Sequence, residues 1–356
     1  MTMRPRTEAE LSEMIKGAQA LRVQGGGTRR IGHAVGEILD TSGLSGVQLY
    51  EPGALTLVAL AGTSLAEIEA LLATERQRLA FEVPDMRGLL GRKGASTIGG
   101  VVAANASGPR RVQLGACRDA LLGVRFVDGR GDVIKNGGRV MKNVTGYDLV
   151  KLLAGSQGTL GVLSEVSFKV QAVPEACVTL TAARDLPQGL ADLRAALGSP
   201  YDISGAAWMA GRVMIRLEGM AGSVAYRAER LQDLLGFEAG AADWAAIRDV
   251  TAFADKPGAV WKLSIKPTEA AGLIDRLGLE AICDWGGGLI WLLDPSGQSD
   301  VRAAVGATGQ ASLVRALPGM ERVPVFPPEP AAIAALTAGL RAKFDPRGIF
   351  NPGMMV

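Results

Sequence analysis

At 356 residues, 48% hydrophobic and 21% charged, the chain has the composition of a globular protein long enough for two cores. A formal charge of +2 gives no broad cationic footprint for nucleic acid, and no apolar run approaches the ~18 residues of a membrane span. The three cysteines, Cys117, Cys177 and Cys283, form no C-x-x-C pair, so they support neither a zinc site nor an iron–sulfur cluster. Free thiols of a reducing compartment are expected, and a charged, amphipathic N-terminus without an apolar signal core points to the cytoplasm. Glycine is the deviation: 47 residues, many in short clusters, against an average share of about 7%.

Thr7 followed by Glu10 predicts a capped helix to about Ala18. Leu21–Gln24 then reads as a strand running into Gly25-Gly26-Gly27, followed by Thr28, Arg29 and Arg30. Three residues without Cβ let backbone N–H groups crowd against a ligand, and the arginines add phosphate-seeking donors. Alone, this stretch serves equally as a diphosphate seat or a flexible surface loop. Asp40–Leu49 and Ala54–Ala61 read as strands, and a helix follows, capped by Thr63 or Ser64, with Leu65, Ile68, Leu71 and Leu72 on one face. Phe81–Asp85 is an extended piece stiffened by Pro84, and Arg87–Gly94 a basic, mobile loop. Ser96–Ser107 joins Thr97, Gly99 and Gly100 to the small residues Ala104, Asn105, Ala106 and Ser107, which suit close packing against a flat ligand. Leu121–Val127 and Asp132–Ile134 make a hairpin. A Lys/Asn/Gly loop, Lys142–Tyr147, and a helix, Asp148–Ala154, precede Gly158-Thr159-Leu160-Gly161 and the strand Val162–Val170.

Composition shifts after Pro174, and all five tryptophans lie beyond residue 200. The predicted order is strand Cys177–Ala182, helix Leu186–Leu197, strands Ile203–Met209 and Val213–Glu218, then helix Val224–Leu235. Nearly the same order recurs in strand Val260–Ile265, helix Thr268–Leu277, strands Glu280–Asp284 and Leu289–Leu293, helix Ser299–Val305 and strand Ser312–Arg315. Two such units predict a mixed α+β domain on a broad antiparallel sheet. The division expected is 1–174, 175–320 and a C-terminal segment, 321–356, containing helix Ala331–Phe344 and the tail Asp345–Gly353.

A nicotinamide-binding turn needs a third glycine where Arg30 stands, and no amphipathic helix follows; a Walker loop lacks its Gly-Lys-Ser/Thr. The glycine turn instead gains meaning from its companions at Thr97–Gly100, Ala104–Ser107 and Gly158–Val162. Together with the tail FDPRGIFNPG, the set resembles the vanillyl-alcohol oxidase/p-cresol methylhydroxylase family. Within it, the runs Ala106–Arg111 and Gly138–Asp148 resemble the branch of FAD-binding subunits of bacterial glycolate oxidases. The resemblance implies an α+β fold: an FAD-binding domain of two α+β subdomains, with a second, cap domain on a mixed or antiparallel sheet.

It also implies roles. Val23, Gln24, Gly25, Gly26, Gly27, Thr28 and Arg29 would wrap the pyrophosphate. Asp85, Ser96 and Thr97 would lie along the ribityl and diphosphate, with Gly99 and Gly100 beside them. Ala104, Asn105, Ala106 and Ser107 would flank the isoalloxazine, and Gly158, Thr159, Leu160, Gly161, Val162 and Leu163 would hold the adenosine end. Thr28 stands where a tethering histidine would follow the glycines, so noncovalent FAD is expected. His33 is the only histidine. The metal-binding histidines of self-sufficient relatives therefore have no counterpart, and no metal is expected. For the hydroxyl and carboxylate of a small 2-hydroxy acid, the candidates are Lys262, on a strand face shared with Ser264 and Lys266, and Arg216 and Arg315; a solvated sheet face is the competing reading. The partners implied are a homologous catalytic flavin subunit and an iron–sulfur subunit, in a complex at the inner face of the plasma membrane. A self-sufficient dehydrogenase and a structural flavoprotein remain the alternatives.

Overall fold

The computed structural model describes residues 2–139 and 146–355. The Thr7 hydroxyl accepts from Glu10 N at 3.1 Å and opens helix Glu8–Gly17, while the Glu10 carboxylate accepts from Arg6 N at 2.8 Å. Leu11 and Ile15 of this helix pack on a three-stranded parallel sheet of Thr2–Met3, Glu37–Asp40 and Leu21–Gln24. The single strand expected over 40–49 is interrupted. The Asp40 carboxylate accepts from Ser42 N at 2.9 Å and closes a turn at Thr41–Gly43, so that Glu37–Asp40 and Val47–Glu51 enter different sheets.

The second sheet runs Val47–Glu51, Thr56–Leu60, Val162–Ala172, Leu121–Val127, Val133–Gly137, with Gln77–Leu79 pairing on Val162–Ala172; every pair is antiparallel. Helix Leu65–Thr74, capped by Ser64, drives Ile68 and Leu72 into its core beside Phe81, Phe126 and Phe168. Arg87–Gly94 is not the loose loop expected: it holds a helical turn, Arg87–Leu90, with Leu89 buried. Residues 140–145, within the Gly138–Asp148 run and overlapping the Lys142–Tyr147 loop, lie outside the described residues.

The third sheet has eight strands, in the order Glu238–Gly240, Ala176–Ala183, Arg212–Gly219, Gly205–Met209, Glu280–Asp284, Leu289–Asp294, Ala259–Ile265, Gly309–Arg315. Read from its centre outward, each half repeats the other. Gly205–Met209 and Glu280–Asp284 are the second strands of their units and meet at Trp208↔Cys283, and the fourth strands close the edges. The recurring element order therefore builds two matched half-sheets. Helices Leu186–Leu197, Ala221–Leu235 and Ala270–Leu277 cover one face, with Trp261, Leu263 and Ile265 among the residues beneath them.

The opposite face meets the N-terminal half of the molecule. Val260, Trp291, Leu293 and Val314 bury with Leu89, joined by the partly buried Ile31, Met86 and Leu90. A buried ion cluster spans the same junction. Arg110 bonds Glu218 at 3.0 Å and Arg216 bonds Glu82 at 2.9 Å, while Arg78 also pairs with Glu218. The tail then returns to the first sheet: Leu21 N donates to Ile349 O at 2.7 Å and Asn351 N to Leu21 O at 2.8 Å.

Candidate functional site

A cleft opens where the strand Leu21–Gln24 ends in its glycines. Val23 to Arg30 form one wall, Thr97, Gly99, Gly100, Ala103 and Ala104 the second, and Ser156 to Gly158 with Gly161 to Leu163 the third. The first two walls touch backbone to backbone. A Cβ on Gly26 would sit 1.5 Å from the Ala95 carbonyl oxygen, and one on Gly25 would sit 2.1 Å from Thr97 Oγ1. At Gly27 the situation reverses, since its Cβ position faces open space at a φ of +68°. These glycines therefore serve two needs, close approach of chain to chain and room for a ligand.

The electrostatics of the cleft suit an anion. Among the described residues, the backbone N–H groups of Gly26, Gly27 and Thr28 have no protein acceptor. Arg29 and Arg30 line the same wall, and among the described residues no carboxylate lines the cleft. Burial pushes Arg29 down to about 10, and burial with the charges of Arg22 and Arg92 pushes Arg30 down as well. Both shifts record positive charge held without enough compensation. Arg29 is fixed by Pro84 O at 3.3 Å and by a short bond to Ser96 Oγ.

Asn351 clips the cleft together. Its Oδ1 accepts from Val23 N at 2.8 Å, and its Nδ2 donates to Gln157 O at 2.8 Å. One side chain from the tail thus joins the glycine turn to the 156–158 turn, from a backbone φ of +47° that asparagine tolerates.

The comparisons with known proteins agree with this geometry. The FAD binding domain family matches residues 1–137. The glycolate oxidase subunit GlcE of Escherichia coli (strain K12) is 36% identical over 97% of this chain and 95% of its own length. The chain belongs to the GlcE family. The glycolate oxidase subunit GlcD of Bacillus subtilis (strain 168) is 36% identical over 38% of this chain and 28% of its own, so that likeness is confined to part of each. The solved structure of alkyldihydroxyacetonephosphate synthase superposes with a TM-score of 0.69 at 16% identity, covering 98% of this chain and 76% of that one; this is a likeness of fold. FAD is the cofactor of this GlcE-type chain, and its fold is the α+β arrangement expected for it.

Most residues expected at the cofactor are brought together in this GlcE-family cleft. Val23 to Arg29, Thr97, Gly99, Gly100, Ala104, Gly158, Gly161, Val162 and Leu163 line it. Others serve it from behind or stand away. Ser96 holds Arg29, Thr159 bonds Ser156 O at 2.7 Å, and Leu160 and Ala106 are buried in the core. Asn105 accepts from Arg118 N at 3.0 Å, and Ser107 accepts from Arg111 at 3.1 Å. Asp85 points away, its half-exposed carboxylate paired with Arg87.

The three candidates for the substrate separate sharply. Arg216 stacks on Trp244 with its Cζ 4.8 Å from the ring centroid, and its nitrogens are taken by Glu82, the Ser204 hydroxyl and Ser204 O. Arg315 grips the carbonyls of Leu89, Phe253, Ala254, Lys256 and Gly258. Both are structural clamps, and the expectation that they meet a carboxylate does not fit their geometry. Lys262 differs. It keeps an open surface although protein crowds it closely, as a side chain does inside a concavity; burial and then Arg111 push it down to about 8. Asn351 and Arg111 were not anticipated. The Pro-Arg-Arg run and the tail's Asn-Pro-Gly carried the signal for them, without separating Arg111 from its neighbour.

Proposed function

We propose that this chain holds FAD noncovalently in the cleft, as the flavin-carrying subunit of an assembly that oxidises glycolate. The observation that carries the cofactor part is the wall of unpartnered N–H groups at Gly26, Gly27 and Thr28 beside Arg29 and Arg30, with no carboxylate opposed to them. A diphosphate takes those donors; the small residues Gly99, Gly100, Ala103 and Ala104 leave room for a flat heterocycle. No histidine or cysteine lines the cleft, and Cys117 is sealed in the core with its thiol pushed up by burial. Protein denatured by heat or acid should therefore release all its flavin; flavin retained on the precipitated chain would overturn the noncovalent reading.

When bound, FAD supplies a two-electron acceptor. The chain's own contribution is to orient the acid and exclude water at the junction of the two halves, where Lys262 and the loop ending at Arg111 face each other. The division 1–174, 175–320 and 321–356 is part of this reading: cofactor half, cap, and a segment that clips the cofactor half shut through Asn351. The substrate and the assembly are drawn from the names of the GlcE and GlcD relatives, which imply a multi-subunit glycolate oxidase. An iron–sulfur chain is proposed as the further member, since three separated cysteines offer this chain no cluster of its own. No helix among the described residues is long and apolar enough to cross a membrane, so contact with the inner face of a plasma membrane is proposed only through partners. Affinity purification from the native cell should recover a second flavin chain and an iron–sulfur chain with this one; recovery of the chain alone, fully active on glycolate, would refute the assembly.

Lys262 favours a second reading, in which this subunit itself oxidises a 2-hydroxy acid with the lysine as base. Anaerobic addition of glycolate to the isolated flavoprotein decides: bleaching at a catalytically competent rate supports self-sufficiency, and unchanged absorbance supports the assembly.

A further inference from the structure

Alternation along Ala259–Ile265 sends Trp261, Leu263 and Ile265 to the helix-covered face and Val260, Lys262 and Ser264 to the face that meets the cofactor half. Lys262 lies opposite Trp291 on the neighbouring strand, with its ammonium 5.8 Å from the indole centroid. From the other side of the junction comes Arg111. Its guanidinium carbon lies 4.7 Å from the Trp285 centroid, and one nitrogen donates to Ser107 Oγ at 3.1 Å. Ser107 itself is three residues beyond Ala104, which lines the cofactor cleft.

Neither cation has an ion-pair partner among the described residues. Asp119 attracts Arg111 only at longer range and is itself paired with Arg118 and Lys151. Burial depresses both; Arg118 lowers Arg111 further, and Arg111 lowers Lys262 further, to about 8. Two like charges held near one another at a domain junction repel unless an anion joins them. Tryptophan faces seat both side chains, which restricts their positions.

We infer that Arg111 and Lys262 form a carboxylate-binding cup between the two halves of the molecule, lined by Trp285, Trp291 and Ser107, that takes a small organic acid. It gives this subunit an acid-binding site of its own, whichever chain performs turnover. The inference deepens the proposed function and rests on it only for the identity of the acid.

Oxalate, a redox-inert dicarboxylate, is the probe. The FAD-loaded protein is titrated with it by calorimetry, with the flavin spectrum followed in parallel and chloride as the ionic control. The expected result is one oxalate site, weakened about 10- to 100-fold in Arg111→Gln and in Lys262→Met, with flavin content and melting temperature unchanged. Lys262→Arg should restore binding. Trp291 and Ser312 stand beside Lys262 on the neighbouring strands, Ser264 shares its strand face, and Arg111 is the charge that acts on it, so its own proton governs the pH response. Wild-type binding should fall as pH rises past about 8, and the Lys262→Arg protein should not follow. Equal oxalate affinity in wild type and both neutral variants would overturn the cup, as would absence of oxalate binding to the loaded protein. Protein purified without flavin would count against the cofactor reading, while calorimetry on the same sample would still decide the cup.

Discussion

Gly26→Ala is the smallest change expected to part the two glycine walls. The added methyl would lie 1.5 Å from Ala95 O and 2.6 Å from Ala95 C, so contact at an ordinary separation of about 3.4 Å requires a backbone displacement of about 2 Å. Neither wall is free to move that far. The 94–97 side is tied by Leu65 N to Ser96 O at 2.8 Å, Ile98 N to Thr63 O at 3.0 Å and Gly99 N to Ala61 O at 2.7 Å. The glycine side is tied through Val23 N to Asn351. Displacement breaks at least one of these bonds and leaves polar groups unpaired, at about 3 kcal/mol in all. For a chain of this size that lowers the melting temperature of the apoprotein by about 4 °C. Gly27→Ala is the control, because its Cβ position is open and only its φ of +68° opposes it, at about 1–2 kcal/mol. Thermal melts of both apoproteins, with the flavin content of each as purified, make the test. Gly26→Ala should be the less stable of the two and both should lose flavin, the second by filling ligand space. A Gly26→Ala apoprotein melting with wild type would refute the close-contact argument.

Asp284 is fully buried, and burial raises its carboxyl from 3.8 to about 7, which corresponds to about 4 kcal/mol at most. Between those values the folded state holds a proton the unfolded state has released, so stability falls as pH rises; Asp284→Asn should stabilise the fold at pH 8 and do little at pH 4, read by denaturant melts. Burial raises Glu218, but bonds and charges from Arg110, Arg216 and Arg78 outweigh that and hold it down to about 2. Its stabilisation is present above 4.5 and lost as pH falls toward 2, and Glu218→Gln should cost about 3 kcal/mol at pH 7 while removing that acid dependence. Asn351→Ala leaves Val23 N and Gln157 O unpaired and keeps an unfavourable φ, which predicts a loss of about 2–3 kcal/mol and weaker flavin retention on gel filtration. Unchanged flavin content in that variant would remove Asn351 from the site.

The sequence made helices and strands legible wherever periodicity and caps coincided. Helix Leu186–Leu197 falls where read because Asp185 caps it and Pro187 starts it. Helix Trp244–Asp249 escaped notice, being too short for a hydrophobic period to show, although Asp243 caps it. Repeated element order was readable, but strand order was not: pairing Trp208 with Cys283 at the centre of the sheet joins residues that no local pattern relates. The glycine turn became a site only through its distant companions. Position along a strand was likewise a poor guide to the charged candidates. Arg216 and Lys262 both sit on strands, yet one is locked between Glu82 and Trp244, whereas the other lies over Trp291 with no counter-ion among the described residues.

Arg110 and Arg111 show why that difference lies beyond local sequence. They are adjacent and chemically identical, and the tertiary structure gives them opposite tasks. Arg110 donates from its backbone to Glu82 at 2.6 Å and from its side chain to Glu218 at 3.0 Å, so carboxylates from both halves of the molecule hold it. A buried cluster of this kind adds little net stability over well-packed apolar residues, since desolvation offsets most of the attraction. What it supplies here is position. With Arg110 held on both sides, and Trp285 Nε1 donating to Gly108 O at 3.1 Å, the loop 107–111 has little freedom left. Arg111 is thereby presented across the junction toward Lys262, its charge uncompensated. The neutralised arginine fixes the loop, and the loop holds the unneutralised one where an acid would enter beside the flavin.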